Sequence, residues 1–571
     1  MKNSRLPLST LLAAVALVGL GGVGFVAVVN KVAFQPQPVY TGLSAQKVLL
    51  LYDGTDAASQ QLYGQVTVAL DYAKIAHAGA DVAGGGQSSS WEEYTALVIA
   101  AQDVSGIGEE AALAIKEYVV AGGGLAVLAP ARHPVLDELF GISGREVEGE
   151  AIVSSGIHFV GDLAPGLEGL LVEARDVGEF DSLAVATVDG VEILATTGDG
   201  SRPLVWRRQF GLGRAIYWNN DLLSSKQFRG LAVQSVMAAH GGAVMALANA
   251  GVFQVDGFPA PPPAGAEDFY YRQWFPDMVE LSGEYGVRYT WLADLQAEPP
   301  WDFAAWDEPA VEVEGHEAPF CAYMAYQAGR GGHELALQGY SREAAFEAAG
   351  LRWQEDSLGP LPATCVLPGG LYDEASLVAL RAALPSVRVV GAAPFGAFEE
   401  GGDREFGPEP WNEELFAVPR WTNGYAGDSY TRLLALSELN TLGVWSHAVG
   451  AGDVSSWDEK HAQLDELLEW NQEHYPWLRW LTTSDAHSEL LNYLATDATC
   501  TFDKSYQVTV QFSDHPTYLL LRLNDGRKLD MNNVVNAQIV SYYEGQGYYQ
   551  YVLRATDSEV RLGLLIPTAG S

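Results

Sequence analysis

Lys47-Val48-Leu49-Leu50-Leu51-Tyr52 is a short, nearly unbroken apolar run, the pattern of a strand covered on both faces. From about Gln61 to Ala78 the apolar positions take a helical period. The alternation then repeats: 94–101 predicts a strand, 109–120 a helix, and 124–129 a strand that follows Gly122-Gly123-Gly124. Strand, helix and strand in this rhythm predict a parallel α/β sheet. Further strands are predicted over 203–207 and 213–218, and an apolar helix over 229–250.

Beyond that helix, strand-like runs recur near Val252, Val287, His333, Ala363, Val387, Leu415, Gly443 and Arg479, with helical patterns at 372–383, 429–440 and 457–474. Seven or eight such units predict a (β/α) barrel, in which chemistry gathers at the C-terminal ends of the strands. Val252-Phe253-Gln254-Val255-Asp256-Gly257-Phe258-Pro259 reads as a buried strand that delivers Asp256 to that rim and breaks at Gly and Pro. Gly332 to Arg342 repeats the design. The candidates at strand ends are Asp256, Gln338, Arg342, Arg420, His447 and Asp485. After about Asp497 the pattern alternates, predicting strands at 506–512, 518–523, 537–543, 549–554 and 560–565, with Asn524-Asp525-Gly526-Arg527 as a hairpin turn.

The fold class expected is therefore α/β: a parallel-sheet domain over 46–239, a (β/α) barrel over 240–497, and a small β-sandwich-like domain over 498–571. Ahead of these, Lys2 and Arg5 precede nineteen residues without a charge, Leu11 to Val29. Such a run nearly crosses a hydrocarbon core of ~30 Å. It predicts a membrane anchor within 1–30, a tether over 31–45 and the bulk of the chain outside the cytoplasm. A cleaved signal with a secreted product is the alternative.

Composition narrows the partners. With 571 residues, 48% of them apolar, the chain is globular and too long for one core; its formal net charge of −39 repels nucleic acid and anionic lipid headgroups. The same charge attracts cations, an amine-bearing polymer included, or simply keeps the protein soluble. Three cysteines make at most one bridge, Cys321 to Cys365, or are buried free thiols, and no zinc spacing occurs. Twelve of the fifteen Trp lie between Trp274 and Trp480. Aromatic faces stack on sugar rings, which makes Trp291, Trp301, Trp306, Trp421 and Trp445 candidates for a glycan cleft and leaves Trp470, Trp477 and Trp480 to the core. His461, His474 and His487 read as solvated or capping residues. His447 suits a cleft or a satisfied core equally.

Two resemblances follow from these stretches. The strand order of the first domain and its Gly211-Leu212-Gly213-Arg214 turn resemble the class I glutamine-amidotransferase-like fold. That family's catalysis needs a cysteine on a strand-to-helix elbow, and none occurs before Cys321, so the domain is expected to bind or space. From about 250 to 495, Asp256-Gly257-Phe258-Pro259-Ala260-Pro261, Phe269 to Met278, Gly332 to Arg342, Pro419-Arg420-Trp421-Thr422-Asn423-Gly424-Tyr425, Ser446-His447 and Trp477 to Thr482 are similar to an uncharacterised bacterial branch of the polysaccharide deacetylase (NodB-homology) superfamily.

Active members of that superfamily use two carboxylates, one as base and one as metal ligand, with two histidines completing a divalent-metal site that activates water against an acetamide. Carried over by position, Asp256 matches the base and the metal-binding Asp falls on Gly257. Gln338 and Arg342 fall on the two histidines. His447 and Asp453 are kept, while a further histidine of the branch falls on Gly450. Glycine has no ligand atom, an amide is a poor zinc ligand and a guanidinium repels a dication. The resemblance thus implies no bound metal or other cofactor.

In that reading, Asp256 and His447 are the catalytic candidates. Gln338, Arg342, Arg420, Trp421, Tyr425, Trp445 and Asp453 are the binding candidates, with Arg342 expected to pair with Asp256. The function expected is a membrane-anchored, deacetylase-like protein that binds or guides an exopolysaccharide, an amino-sugar polymer first, alongside export machinery. The alternative is a working carbohydrate hydrolase, either a deacetylase or a glycosidase that uses a carboxylate pair such as Asp256 and Asp485.

Overall fold

Val48 to Leu51 are four consecutive buried residues, which places their strand between two covering layers as its apolar run requires. The computed structural model describes residues 44–82, 91–145, 151–258, 269, 273–295, 311–313, 316–318, 327–339, 343–355, 359–394, 405–452, 455–502, 505–511 and 516–565, which fall in one unit, Gln37–Ser571. In the first sheet His77–Asp81, Val48–Tyr52, Ala96–Ile99, Gly124–Val127 and Gly213–Trp218 lie side by side, all parallel. Four antiparallel strands extend it: Pro203–Phe210, Glu192–Thr197, Ile157–Phe159 and Leu171–Val172. Helices Ala57–Tyr72 and Glu109–Val120 make the crossovers. Asp56 caps the first of them by accepting from the amides of Ala58 and Ser59, which satisfies donors that a helix start leaves open.

The second large sheet carries the candidate site. Ala250–Phe258, Tyr289–Ala293, Glu334–Gln338, Thr364–Val366, Val389–Ala392 and Asn412–Pro419 run parallel to one another in chain order. Val444–Gly450 lies parallel on the other side of Ala250–Phe258, so the first and last parallel strands are neighbours. Three residues past Pro419, Thr422–Asn423 pairs with Val444–Gly450 at one end of the strand order, and the short antiparallel strand Gly407–Glu409 stands at the other. The chain is thus mixed α/β with parallel strands in both large sheets.

Helices Arg229–Ala239 and Ser429–Thr441 pack on each other, and the first is buried along its whole length. Their approach depends on Gly230, where a Cβ would lie 2.1 Å from the Ser437 carbonyl oxygen. The helix expected over 229–250 ends at Ala239, and Gly242–Leu247 is a strand that pairs with Tyr518–Leu523. It joins Tyr518–Leu523, Tyr548–Ala555 and Ala537–Gly545 in a four-stranded antiparallel sheet. A second antiparallel sheet holds Ser44–Ala45, Asp497–Phe502, Ser505–Gln511, Glu559–Leu565 and Lys528–Val535, and the two sheets share one core. The C-terminal β layer therefore borrows strands from residues 44–45 and 242–247.

Three expectations are corrected. Asn524 to Arg527 does not close a hairpin, since the strands on its two sides belong to different sheets. Cys365 is a free, buried thiol rather than half of a bridge; Cys500 is free as well, and Cys321 lies outside the described residues. Among the described residues no helix is long and apolar enough to cross a membrane. The run 11–29 on which the anchored, extracytoplasmic reading stood lies outside the described residues, and that reading is withdrawn.

Candidate functional site

Asp256 sits near the C-terminal end of its strand, one-third exposed, where the chain turns through Gly257 at φ +67°. Its carboxylate accepts two hydrogen bonds of 2.7 Å from Nη2 of Arg420, the residue that follows Asn412–Pro419. Gln338, at the end of Glu334–Gln338, turns its amide oxygen to the Gly257 N–H at 2.6 Å. Tyr425 donates its hydroxyl to the Gly450 carbonyl at 2.9 Å, and Gly450 is the register partner of Asp256 on the neighbouring strand. Four expected residues, from three separate stretches, thus meet at one rim: Asp256, Gln338, Arg420 and Tyr425. The cation paired with Asp256 is Arg420. Arg342, expected in that place, lies outside the described residues, as does Asp453.

His447 takes the core option. It is fully buried, with Nδ1 2.8 Å from the Thr422 hydroxyl and Nε2 2.9 Å from the Gly424 carbonyl. A carbonyl only accepts, so Nε2 carries a proton, and burial favours the neutral ring. Burial, aided by the nearby Arg420 charge, holds its pKa down to about 4 against the bond to Gly424. A ring with both nitrogens committed is not free to exchange protons with a bound substrate.

The tryptophans are corrected too. Trp291 and Trp445 are completely buried and Trp421 nearly so, while Trp301 and Trp306 lie outside the described residues. Trp445 donates to the Thr422 hydroxyl at 2.9 Å, and the Trp421 indole approaches buried Glu438 under the ammonium of Lys226. Their rings fill the interior of the second sheet instead of walling a cleft.

Asp485 is at the other end of the strands. It lies 3.6 Å from Arg288, the residue before Tyr289–Ala293, on a helix whose first amides bond Thr290 and Glu334. Asp256 is level with the far end of Tyr289–Ala293, about 13 Å along it at ~3.3 Å per residue. The two carboxylates share no cleft, so they do not form a glycosidase pair.

A divalent ion does not fit the residues present. The Asp256 carboxylate is already held by a permanent cation, Gly257 offers no donor atom, and the Gln338 oxygen is taken by an amide. Among the described residues no group of three or more His, Cys, Asp or Glu is placed to hold a metal.

Two polar clusters escaped the sequence. Gln254, Thr290 and Glu334 are register neighbours at the starts of adjacent strands, and the helix Thr483–Ala495 covers them: Gln254 Nε2 donates to Thr483, and Glu334 accepts from the Ser484 amide at 2.9 Å. Burial raises the Glu334 carboxyl, which those bonds oppose. Behind Trp421, Arg229 and Glu405 form a buried ion pair, with Lys226 Nζ 3.9 Å from Glu405. Burial, then the Glu405 charge, pushes Glu438 well above the usual carboxylate range. The signal for the first cluster was present, as polar residues spaced along apolar strands. The second joins residues more than 170 positions apart and leaves no local pattern.

A family model described as an uncharacterised protein conserved in bacteria (DUF2194) matches residues 115–304 and 361–549. No curated protein matches the chain. Among solved structures, the β-galactosidase from Bacillus circulans sp. alkalophilus is similar over 35% of this chain and 33% of its own, at 16% identity and a TM-score of 0.23. A ThuA-like protein from Parabacteroides merdae is similar over 34% of this chain and 90% of its own, at 14% identity and a TM-score of 0.26. For the cytoplasmic protein STM3548 from Salmonella typhimurium the values are 34%, 99%, 12% and 0.26. The chain spans about a third of the length of the β-galactosidases it matches. Likeness at this level does not extend to function. The two stretches matched by the family model cover more than half of the 571 residues, and the chain belongs to this bacterial DUF2194 family.

Proposed function

We propose that the chain is a polysaccharide deacetylase-like protein that binds an amino-sugar polymer through the rim around Asp256 and Arg420, without a metal. In this reading the second sheet is a (β/α) barrel of seven parallel strands, bridged between its last two strands by Thr422–Asn423. The run of neighbouring parallel strands, with Val444–Gly450 beside Ala250–Phe258 and Thr422–Asn423 beside Val444–Gly450, supports it. The first sheet is read as an amidotransferase-like module over 46–239, and the antiparallel layer over 498–571 as a β-sandwich-like domain.

One observation carries the proposal: a guanidinium neutralises the carboxylate at the position where active relatives place their catalytic base. A carboxylate held by Arg⁺ is a weak base, because protonation costs it the ion pair. The same arrangement offers donors and acceptors fixed in place, which suits hydroxyl and acetamide groups. Calorimetry of the full chain with tetra-N-acetylchitotetraose tests it. Binding is expected, weakened by about 1–3 kcal/mol in Arg420→Ala, a usual loss for a charge-assisted hydrogen bond, with no acetate released. Release of acetate that is abolished in Asp256→Asn supports the working hydrolase instead. Absence of binding removes the proposal.

A further inference from the structure

At the antiparallel edge of the first sheet, far in sequence from the Asp256 rim, Ala151–Ser155, Leu171–Val172 and the turn after Glu192–Thr197 enclose a pocket of about 410 Å³. That is the size at which small-ligand sites begin. Its wall includes two large apolar side chains left in water, Val153 at 61% exposure and Leu171 at 41%. Single exposed apolar residues are ordinary, but two facing one concavity make a surface for the C–H face of a ring.

The polar half of the wall is built as well. Asp199 is fixed by the Thr197 hydroxyl at 2.5 Å and by the Ser201 amide and hydroxyl at 3.0 and 2.8 Å, all on Oδ1. These bonds hold its carboxyl at about 2, so it is an acceptor at any ordinary pH. Glu173 adds a second carboxylate, tied only to exposed Arg175. Arg202 also lines the pocket, and its guanidinium has no side-chain partner among the described residues. Gly156, at φ +63°, lets the strand end come so close to Val172 that a Cβ would lie 3.1 Å from its carbonyl oxygen.

We infer that this pocket is a second saccharide subsite, in which Val153 and Leu171 meet the apolar face of one sugar unit while Arg202 donates to its oxygens and Asp199 and Glu173 accept from its hydroxyls. With Glu173 matched by Arg175 and Asp199 standing with Arg202, the described residues of the pocket carry no surplus positive charge, so it takes neutral sugars in preference to uronates. The choice of an amino-sugar polymer as the ligand rests on the proposed function; the pocket itself does not.

Calorimetric titration of the full chain with tetra-N-acetylchitotetraose reads the number of sites. Two are expected. Arg202→Ala and Leu171→Asp, both at exposed or half-exposed positions, are each expected to weaken one site about tenfold or more and leave the other intact, with unchanged thermal unfolding. Arg420→Ala is expected to remove the other. One site, lost in Arg420→Ala and indifferent to Arg202→Ala and Leu171→Asp, overturns the subsite and keeps the proposed function. One site that responds only to Arg202→Ala and Leu171→Asp keeps the subsite and overturns the reading of the Asp256 rim. No binding overturns both.

Discussion

Arg420 reaches both carboxylate oxygens of Asp256 from one guanidinium nitrogen, at 2.7 Å each, across 164 residues of sequence. The contact ties the C-terminal end of Ala250–Phe258 to the segment that follows Asn412–Pro419. Next to it, Thr422 is hydrogen-bonded to His447 on the strand alongside Asp256. One ion pair therefore balances the Asp256 charge and braces the segment in which only two residues, Thr422 and Asn423, continue the ladder beyond Val444–Gly450.

Removing either partner leaves the other charge in a site only partly open to water. Arg420→Ala and Asp256→Asn are each expected to destabilise the protein by about 1–3 kcal/mol. The double variant should lose less than the sum, with a coupling of about 0.5–3 kcal/mol. Urea denaturation of the four proteins measures it. Strict additivity would show that the pair is only a surface contact.

The buried histidines set a pH dependence. His447 and His240 are each held down to about 4 by burial, from an ordinary 6.5. The unfolded chain therefore binds more protons than the folded one between those values. Their contribution is complete above pH 6.5 and is lost as the pH falls toward 4, with a slope of up to ~1.4 kcal/mol per pH unit for each ring. Glu438, raised by burial, has the opposite sign: its contribution is present at low pH and is lost as the pH rises through its folded value. Between pH 6.5 and 4, His447→Leu is expected to show a flatter denaturation profile than the parent. Profiles that run parallel would mean that His447 titrates normally.

The correction to the tryptophans has its own consequence. Trp445→Phe removes the indole N–H that bonds Thr422 and leaves the ring volume slightly short. A stability loss of about 1–3 kcal/mol is expected, with the affinity for chito-oligosaccharide unchanged. An affinity that falls while denaturation is unaltered would return Trp445 to the ligand.

The legible parts of the fold were those with local causes. The helix at Glu109–Val120 and the strands at Gly213–Trp218 and Tyr518–Leu523 appear at the residues expected, because period and glycine punctuation mark them. His77–Asp81 was hidden, since His-Ala-Gly-Ala-Asp has neither β-branching nor apolar bulk and owes its conformation to pairing with Val48–Tyr52. Gly242–Leu247 was hidden in an apolar stretch that reads equally well as helix, and its partner Tyr518–Leu523 supplied the decision. At the rim, strand ends placed Asp256, Gln338 and Arg420 correctly. Which cation would meet Asp256 depended on a contact across 164 residues, on which sequence spacing is silent.

Gly257 and Gln338 are neighbours: a Cβ on Gly257 would lie 3.8 Å from Gln338 Oε1. The φ of +67° is one that Asp tolerates better than most residues, at about 1–2 kcal/mol. Gly257→Asp combined with Gln338→His is therefore expected to fold and to bind Co²⁺, visible as visible-region absorption and by calorimetry, where the parent shows neither. Equal Co²⁺ binding by parent and variant would mean that the ion uses other residues, and the proposed equivalence between these positions and the ligands of the polysaccharide deacetylase superfamily would fall.

Charge decides between polymers. The chain carries −39, and at the rim the Asp256 carboxylate is matched by Arg420, so this pair offers no excess positive charge to an anionic sugar. Bringing a polyuronate into this field costs Coulomb energy, whereas an N-acetylated oligomer is indifferent and a deacetylated, amine-bearing one is drawn in. At an ionic strength of about 0.15 M the screening length is ~8 Å, so most of the long-range part vanishes and the contact part remains. Affinity for the amine-bearing oligomer is expected to fall as salt rises from ~0.01 to ~0.15 M. That for the N-acetylated oligomer should stay constant, and that for oligouronate should stay lowest while improving slightly. Titrations of the three oligomers at both ionic strengths supply the comparison. Tightest binding of the uronate at low salt would show that an unmatched basic surface governs recognition, and the neutral rim would then have no part in choosing the ligand.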